Sequence, residues 1–169
     1  MLFRSLRPAG EDTKLPYSQL WHYKWDRTYE ALWNLAQVDS SPFDDVAMEY
    51  SDPTTGGSVL ATMACWIQLI RPGIHTRAHR HTTSAVYHVF EGEGYSIIDG
   101  RRFDWSRGDL FVVPSWSWHE FGNDSSQEAI LFSIQDNPVI KSLALFREEA
   151  YEQNAGHQSV TGKFSGLQR

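Results

Sequence analysis

Between residues 58 and 135 the chain is a series of short apolar stretches separated by turn residues at short, regular intervals. Stretches rich in β-branched and aromatic residues and bounded by Gly, Pro, Asn or Asp are typical of β-strands. The dipeptide Asp99-Gly100 separates two of them and is a strong signal for a two-residue hairpin. Many short strands at this spacing indicate an antiparallel barrel or jelly roll, and we predict an all-β jelly-roll barrel over residues 58–135. The predicted strands are 59–70, 85–92, 94–100, 101–105, 109–115 and 128–134.

The residues before the barrel, 1–57, are predicted to form an N-terminal arm with one helix and a loop. Near residues 26–37, apolar side chains recur at the spacing that places them on one face of a helix. They are Tyr29, Leu32, Trp33 and Ala36, and Asp26 is the expected N-cap. Residues 39–57 are rich in turn residues and are predicted to be a loop.

The residues after the barrel, 136–169, are predicted to form a second helix and a tail. The helix is expected over residues 137–153, with Pro138 at its first position, where no backbone N–H is required. The last dozen residues are expected to be frayed. A barrel with a flanking helix on each side is therefore the predicted architecture.

Composition narrows the class of function. The chain has 169 residues, the size of one globular domain, and a formal net charge of −6 without a long basic run, which argues against a nucleic-acid partner. No stretch approaches the roughly 20 apolar residues of a membrane span, and the N-terminus has no apolar core of a signal peptide. With a single cysteine and no targeting signal, a cytoplasmic location is the default expectation. Aromatic residues make up 14% of the chain, which suits a packed sheet core or a pocket for a flat ligand.

Three histidines are candidates for a metal site. His79 and His81 are two residues apart, so in a strand both imidazoles point to the same side. His119 lies in a later strand region that a barrel would bring close. The same alternation places Tyr87 inward and His88 outward, and His75 is interpreted as a loop residue that is not a ligand. Neutral imidazoles suit Fe(II), with Zn, Ni and Mn as alternatives. Histidines that pack without metal remain the competing interpretation.

Two motifs, matched in order, resemble those of the cupin superfamily. The first motif has Gly, five residues, His-x-His and a later Gly, and the second has Gly, Pro, His and Asn at set spacings. The matching positions are Gly73, His79, His81 and Gly92, then Gly108, Pro114, His119 and Asn123. Ala85 stands where many cupins have a glutamate ligand. The resemblance implies the jelly-roll fold and a metal held by the three histidines.

One branch of that superfamily is more similar still. The stretches "YSDPTTGGSVLATM", "HRHTTSAVYHVFEGEGYSIIDG" and "AILFSIQDNP" resemble the gentisate 1,2-dioxygenase group, which includes salicylate and 1-hydroxy-2-naphthoate dioxygenases. Those enzymes are usually bicupins, and this chain is most similar to their C-terminal cupin. The group uses a three-histidine iron, which agrees with Ala85 in place of the acid. Tyr87 stands where the catalytic cupin carries an arginine.

The resemblance implies an extradiol-type, Fe(II)-dependent, ring-cleaving dioxygenase that uses dioxygen on a hydroxylated aromatic carboxylate. The residues expected to bind that substrate are Gln68, Arg77, Tyr87, Trp118 and Phe121. The main alternative is a non-catalytic structural or assembly cupin that corresponds to one half of a bicupin. A third is a different small metal enzyme, such as a cupin isomerase or a thiol dioxygenase. Cupins also associate through sheet edges and N-terminal arms, so we expect a homo-oligomer, a dimer or larger.

Overall fold

The computed structural model describes residues 22–164, and these form two β-sheets with two short flanking helices. The helices are α1 (Trp25–Val38) and α2 (Asn137–Ser142). The strands are β1 (Val46–Glu49), β2 (Ala64–Ile70), β3 (His79–His81), β4 (Ala85–Glu91), β5 (Glu93–Ile98), β6 (Arg101–Ser106), β7 (Leu110–Val113), β8 (His119–Gly122), β9 (Ala129–Gln135), β10 (Glu148–Ala150) and β11 (Gly162–Lys163).

The two sheets confirm the predicted jelly-roll fold. One sheet has five strands in the order β1-β2-β9-β4-β7, and the other has six in the order β10-β3-β8-β5-β6-β11. All pairs are antiparallel except β11 with β6. Their facing sides enclose the main core, whose buried residues include Ile70, Val89, Phe121 and Leu131. The predicted Asp99-Gly100 hairpin joins β5 to β6, and both residues have positive φ, as a tight turn of this type requires.

Helix α1 covers part of the outer face of the five-stranded sheet. Leu32 is fully buried there against Val46, Ile67 and Leu69, which forms a second, smaller core. The predicted helix is therefore present, but its predicted N-cap is wrong. The residue before the helix is Lys24, which makes no side-chain capping hydrogen bond, and Asp26 lies in the first turn.

The predicted loop 39–57 contains a strand, so that prediction is corrected. β1 pairs with β2 over four residues, with Val46 opposite Leu69 and Glu49 opposite Trp66. The turn residues on both sides of β1 hid this short edge strand. The predicted strand 59–70 begins only at Ala64, because the residues before it form bends.

The predicted helix 137–153 is wrong beyond Ser142. The chain turns at Ala144, which has a φ of 56°, and then runs extended as β10 beside β3. The edge of β3 offers backbone partners that a continued helix would leave unpaired, so strand pairing outweighs local helix propensity. The expected frayed tail is also wrong as far as residue 164, since Gln158 is buried and β11 pairs with β6.

Residues 1–21 of the predicted N-terminal arm and residues 165–169 of the predicted tail lie outside the described residues. Among residues 22–164, no helix is long and apolar enough to cross a membrane.

Candidate metal centre

The three predicted ligands meet at one point between the sheets. β3 and β8 are neighbours in the six-stranded sheet, and His79 lies directly opposite His119. His81 is two residues along β3 and therefore faces the same side. Each of the three side chains offers a ring nitrogen, and these nitrogens all lie within 4.8 Å of one another. The topology thus brings together residues that are 40 positions apart in the chain.

Hydrogen bonds to backbone carbonyls fix the tautomer of two of these rings. Nδ1 of His81 lies 3.0 Å from the carbonyl oxygen and 2.6 Å from the hydroxyl oxygen of Thr83, which can also accept, and Nδ1 of His119 lies 3.0 Å from the carbonyl oxygen of Ser117. A carbonyl oxygen only accepts, so both Nδ1 atoms donate and each Nε2 carries the free lone pair. Metal-ligating histidines usually have this arrangement, because the outer hydrogen bond orients the ring.

Burial keeps the cluster uncharged. It lowers the pKa of His79 to about 2 and that of His119 to about 4, and the neighbouring imidazoles lower both further. The pKa of His81 is also lowered by burial. Neutral imidazoles are the form that binds a metal ion, so the cluster needs no deprotonation near neutral pH.

The cluster borders a cavity of about 240 Å³ between the two sheets. Its walls combine polar side chains with aromatic rings. They are formed by Asp44, Ala47, Trp66, Gln68, His79, His81, Tyr87, Ser133, Gln135, Asn137, Lys141, Phe146 and Glu148. Ligand pockets for drug-sized molecules have about 300–1,000 Å³, so this cavity suits a smaller molecule with one ring.

Buried polar atoms without a hydrogen-bond partner concentrate at this cavity. Among the described residues there are four such side-chain atoms: Trp66 Nε1, His79 Nδ1, His119 Nε2 and Asn137 Oδ1. Three of these residues line the cavity and the fourth, His119, belongs to the histidine cluster. Buried polar groups are nearly always paired, so unpaired ones at one place are typical of a ligand-binding site. The histidine cluster therefore fits a bound metal ion.

Of the five side chains predicted to bind substrate, two line the cavity. Gln68 donates from Nε2 to the carbonyl oxygen of Asp44 over 2.8 Å, which anchors it beside β1. Tyr87 is buried on the inner face of β4, stacked on Phe111, and burial raises the pKa of its hydroxyl, which stays protonated.

The structure places the other three elsewhere, which corrects the predicted lining. Arg77 is exposed and runs along Gly156. Trp118 packs on the outside against Arg80 and Tyr151, because the turn before β8 directs its side chain away from the barrel. Phe121 is fully buried in the core beside His119 and does not line the cavity.

Three charged residues of the cavity were not predicted: Asp44, Lys141 and Glu148. Burial raises the pKa of Asp44 to about 6, and the charge of Glu148 adds to that shift. Glu148 pairs with His81 across β10 and β3, a pairing hidden by the helical pattern predicted there. Asp44 lies just before β1 and Lys141 lies in α2, so neither belongs to the strands from which the site was predicted.

A family model described as the cupin domain matches residues 66–135, which hold all three histidines and most of the barrel strands. The chain therefore contains a cupin domain over these residues. Two glycines of the first motif, Gly73 and Gly92, both have positive φ, a backbone conformation that glycine adopts most readily.

Known proteins similar to this cupin include several aromatic-ring dioxygenases. It is 42% identical, over 96% of its length, to a 5-aminosalicylate 1,2-dioxygenase from Comamonas sp, of which it covers 44%. It is 34% identical, over 85% of its length, to a 1-hydroxy-2-naphthoate 1,2-dioxygenase from Nocardioides sp. (strain KP7), of which it covers 37%. A crystal structure of salicylate 1,2-dioxygenase from Pseudoaminobacter salicylatoxidans superposes with a TM-score of 0.76 at 29% identity, covering 89% of this chain and 42% of that one. The cupin therefore spans less than half the length of each.

Proposed function

We propose that this cupin binds Fe(II) and cleaves the ring of a hydroxylated aromatic carboxylate with dioxygen. The observation that carries the proposal is the cluster of three neutral histidines with free lone pairs beside a cavity for one ring. The similarity to 5-aminosalicylate and salicylate 1,2-dioxygenases supports this reaction class.

His79, His81 and His119 would hold the metal on one side and leave its other positions facing the cavity. Fe(II) held there would supply the redox chemistry that lets dioxygen cleave the ring of the bound substrate. Because Ala85 replaces an acidic ligand, the three imidazoles leave both charges of the ion uncompensated, which favours an anionic substrate. Zn, Ni and Mn remain alternative ions for the same donor set.

The cavity walls supply the remaining recognition. Among the described residues that line the cavity, Lys141 is the only cation, and it is the proposed partner of the substrate carboxylate. The indole N–H of Trp66 has no hydrogen-bond partner within residues 22–164 and is available to a substrate oxygen. Gln68 and Tyr87 position the ring between them. The small volume favours a single ring over a naphthalene.

Oxygen uptake tests this proposal. The protein is loaded with Fe(II) under anaerobic conditions and then mixed with oxygen and gentisate, salicylate, 5-aminosalicylate or 1-hydroxy-2-naphthoate. We expect uptake with a one-ring acid and a product heavier by two oxygen atoms. The reaction is repeated with ¹⁸O₂. The positions of the two ¹⁸O atoms in the product and the structure of that product test the extradiol-type assignment. Iron-loaded protein that consumes no oxygen with any of the four would overturn the proposal.

A pair of variants distinguishes the loss of a metal ligand from the effect of replacing any histidine by glutamine. His119→Gln should lose bound iron and oxygen uptake, whereas His88→Gln, on the outer side of β4, should retain both. The competing function is a non-catalytic assembly cupin, which the coverage of less than half of the similar dioxygenases favours. Wild-type protein without bound metal, together with a folded His119→Gln variant, would support that alternative.

A further inference from the structure

A second convergent cluster lies on the other side of β8 and consists of His75, Glu120 and His157. Nε2 of His75 is 3.3 Å from Oε2 of Glu120, and Nδ1 of His157 is 3.0 Å from the same oxygen. The three candidate ligand atoms all lie within 4.8 Å of one another. Neighbouring residues of a strand point to opposite faces, so Glu120 faces away from the centre that contains His119. The two clusters are therefore separate.

The separations in this cluster match those between ligands of one zinc ion. Zinc lies about 2.0–2.2 Å from nitrogen and oxygen ligands in a tetrahedral arrangement, so ligand atoms of the same ion are about 3.3 Å apart. Both nitrogen–oxygen distances are close to this value. The rings of His75 and His157 are also neighbours, with centroids 4.3 Å apart and ligand nitrogens within 4.8 Å of each other.

The charge of Glu120 also calls for a cation. Its carboxylate is fully buried, and within the described part of the chain its ion-pair partners are the two histidines alone. A buried carboxylate needs a compensating cation, and a divalent ion bound to Oε2 of Glu120 and to both ring nitrogens would supply that charge.

The surroundings hold the carboxylate in place and leave an opening for the ion. Oε1 of Glu120 accepts a hydrogen bond of 2.9 Å from the backbone N–H of Gln158, which fixes the orientation of Oε2. His75 and His157 keep 36% and 30% of their side chains exposed. An ion can therefore enter from solvent, and a water molecule can serve as the fourth ligand.

We propose that His75, Glu120 and His157 form a second site that binds Zn²⁺ and fastens the C-terminal segment to the barrel. His75 precedes β3, Glu120 belongs to β8 and His157 follows β10, so the ion would join three distant parts of the chain. The proposal does not depend on the function proposed above, because no residue is shared between the two clusters.

Zinc binding to the full chain tests the proposal by stoichiometry. Metal-free wild-type protein titrated with ZnCl₂ is expected to bind two ions. His75→Gln and His157→Gln should each bind one, with the lost site at least about 100-fold weaker, since even partners of the ligands contribute 10–100-fold. His88→Gln is the matched control and should bind two.

A double variant removes any ambiguity about which site is lost. His79→Gln with His119→Gln should still bind one zinc ion, and that ion should raise the melting temperature, because it binds the folded state alone. Adding His157→Gln to this protein should abolish both effects. If either histidine variant binds zinc as the wild type does, the cluster is a hydrogen-bonded contact only and the proposal is overturned. If the double variant does not fold, the single variants decide.

Discussion

Single hydrogen bonds decide what the histidines of the metal centre can do. The carbonyl groups of Thr83 and Ser117 each accept from an Nδ1 atom, so the Nε2 lone pairs of His81 and His119 face the cluster. Alternation along β3 predicts which side the rings take, but the tautomer depends on where two turns place a carbonyl oxygen.

Lys141 is predicted to bind the substrate carboxylate. Lys141→Met should raise KM for the one-ring acid by about tenfold, which corresponds to about 1.4 kcal/mol, and should change kcat less than about twofold. Steady-state oxygen uptake and calorimetric binding of salicylate measure the two effects. Lys163→Met, which removes an exposed lysine on β11, is the control and should leave KM unchanged. A fall in kcat at unchanged KM would contradict this role.

Asp44 makes the stability of the chain depend on pH. Its pKa is raised from 3.8 to about 6 in the folded state, so between these values the unfolded chain releases a proton that the folded chain retains. The contribution to stability is therefore complete below about pH 4 and is lost as the pH rises through 6. Asp44→Asn should raise the free energy of unfolding by about 1–3 kcal/mol at pH 8 and leave it nearly unchanged at pH 4.

Urea unfolding of metal-free protein at the two pH values measures this difference. Asp26→Asn, at an exposed position of α1, is the control and should show the same small effect at both. An equal gain for Asp44→Asn at pH 4 and pH 8 would show that the carboxyl is not strained by burial.

At the scale of elements, the turn between β4 and β5 packs closely against the start of β9. Gly92 has a φ of 81°, and a Cβ atom there would lie 2.8 Å from Cα of Ala129 and closer still to the carbonyl oxygen of Glu128. Gly73 of the same motif has a similar φ of 74°, but a Cβ atom there would meet nothing within 4 Å. The two glycines thus serve different purposes: one allows close packing and one allows a turn.

Gly92→Ala should therefore destabilise the fold more than Gly73→Ala. The left-handed conformation alone costs an alanine about 1 kcal/mol, and the backbone clash at residue 92 adds about 1–3 kcal/mol. The midpoint of urea unfolding at unchanged slope measures both. Equal losses for the two variants would mean that the turn relaxes without moving β9.

β10 shows why an element can be mistaken from its residues. Glu148–Ala150 lies in a stretch with a helical pattern, yet it pairs with β3 and carries Glu148 to the cavity. Arg80 then pairs with Glu149 at 2.6 Å and stacks on Trp116 and Trp118 on the outside of the barrel. The pairing with the edge of β3, which is distant in the sequence, determines this extended conformation. The residues near β10 contain no pattern that predicts it.

At the scale of the whole molecule, the outer face of the five-stranded sheet is only partly covered. α1 packs on the β1–β2 end, while Val86, Val112 and Ile134 form one apolar row across β7, β4 and β9, each more than 40% exposed. Leu110 extends the patch on β7, and Trp25 of α1 packs on Phe90 at its border. Contiguous apolar patches of this kind mark association surfaces.

We predict that a second copy of this chain covers this face, in keeping with the homo-oligomer expected from the sequence. Light scattering of the wild type should give a mass of at least two chains. Val112→Glu should shift the mass toward one chain, because a charge would be buried at the centre of the contact. Val160→Glu, the same change at an exposed site on the C-terminal segment, should leave the mass unchanged. A wild-type mass of one chain would refute the prediction.

The fold and the three inner histidines were predictable because their signals are local. Alternation along a strand has a period of two, so His79 and His81 must share a face wherever the strand lies. The same period correctly placed Tyr87 on the inner face of β4. Two spaced motifs then indicated that His119 joins them.

The sequence by itself thus determined the jelly-roll class, the inward-facing histidines and the glycines at tight turns, because strand period and turn geometry act over a few residues. Only the tertiary structure decided which side chains surround them. Asp44, Lys141 and Glu148 reach the cavity from segments outside the predicted barrel, and Glu120 meets His75 and His157 from 45 and 37 residues away. Such contacts depend on which strand edges pair and which segment covers a sheet. Both depend on apolar burial and backbone hydrogen bonds between residues that are far apart in the chain.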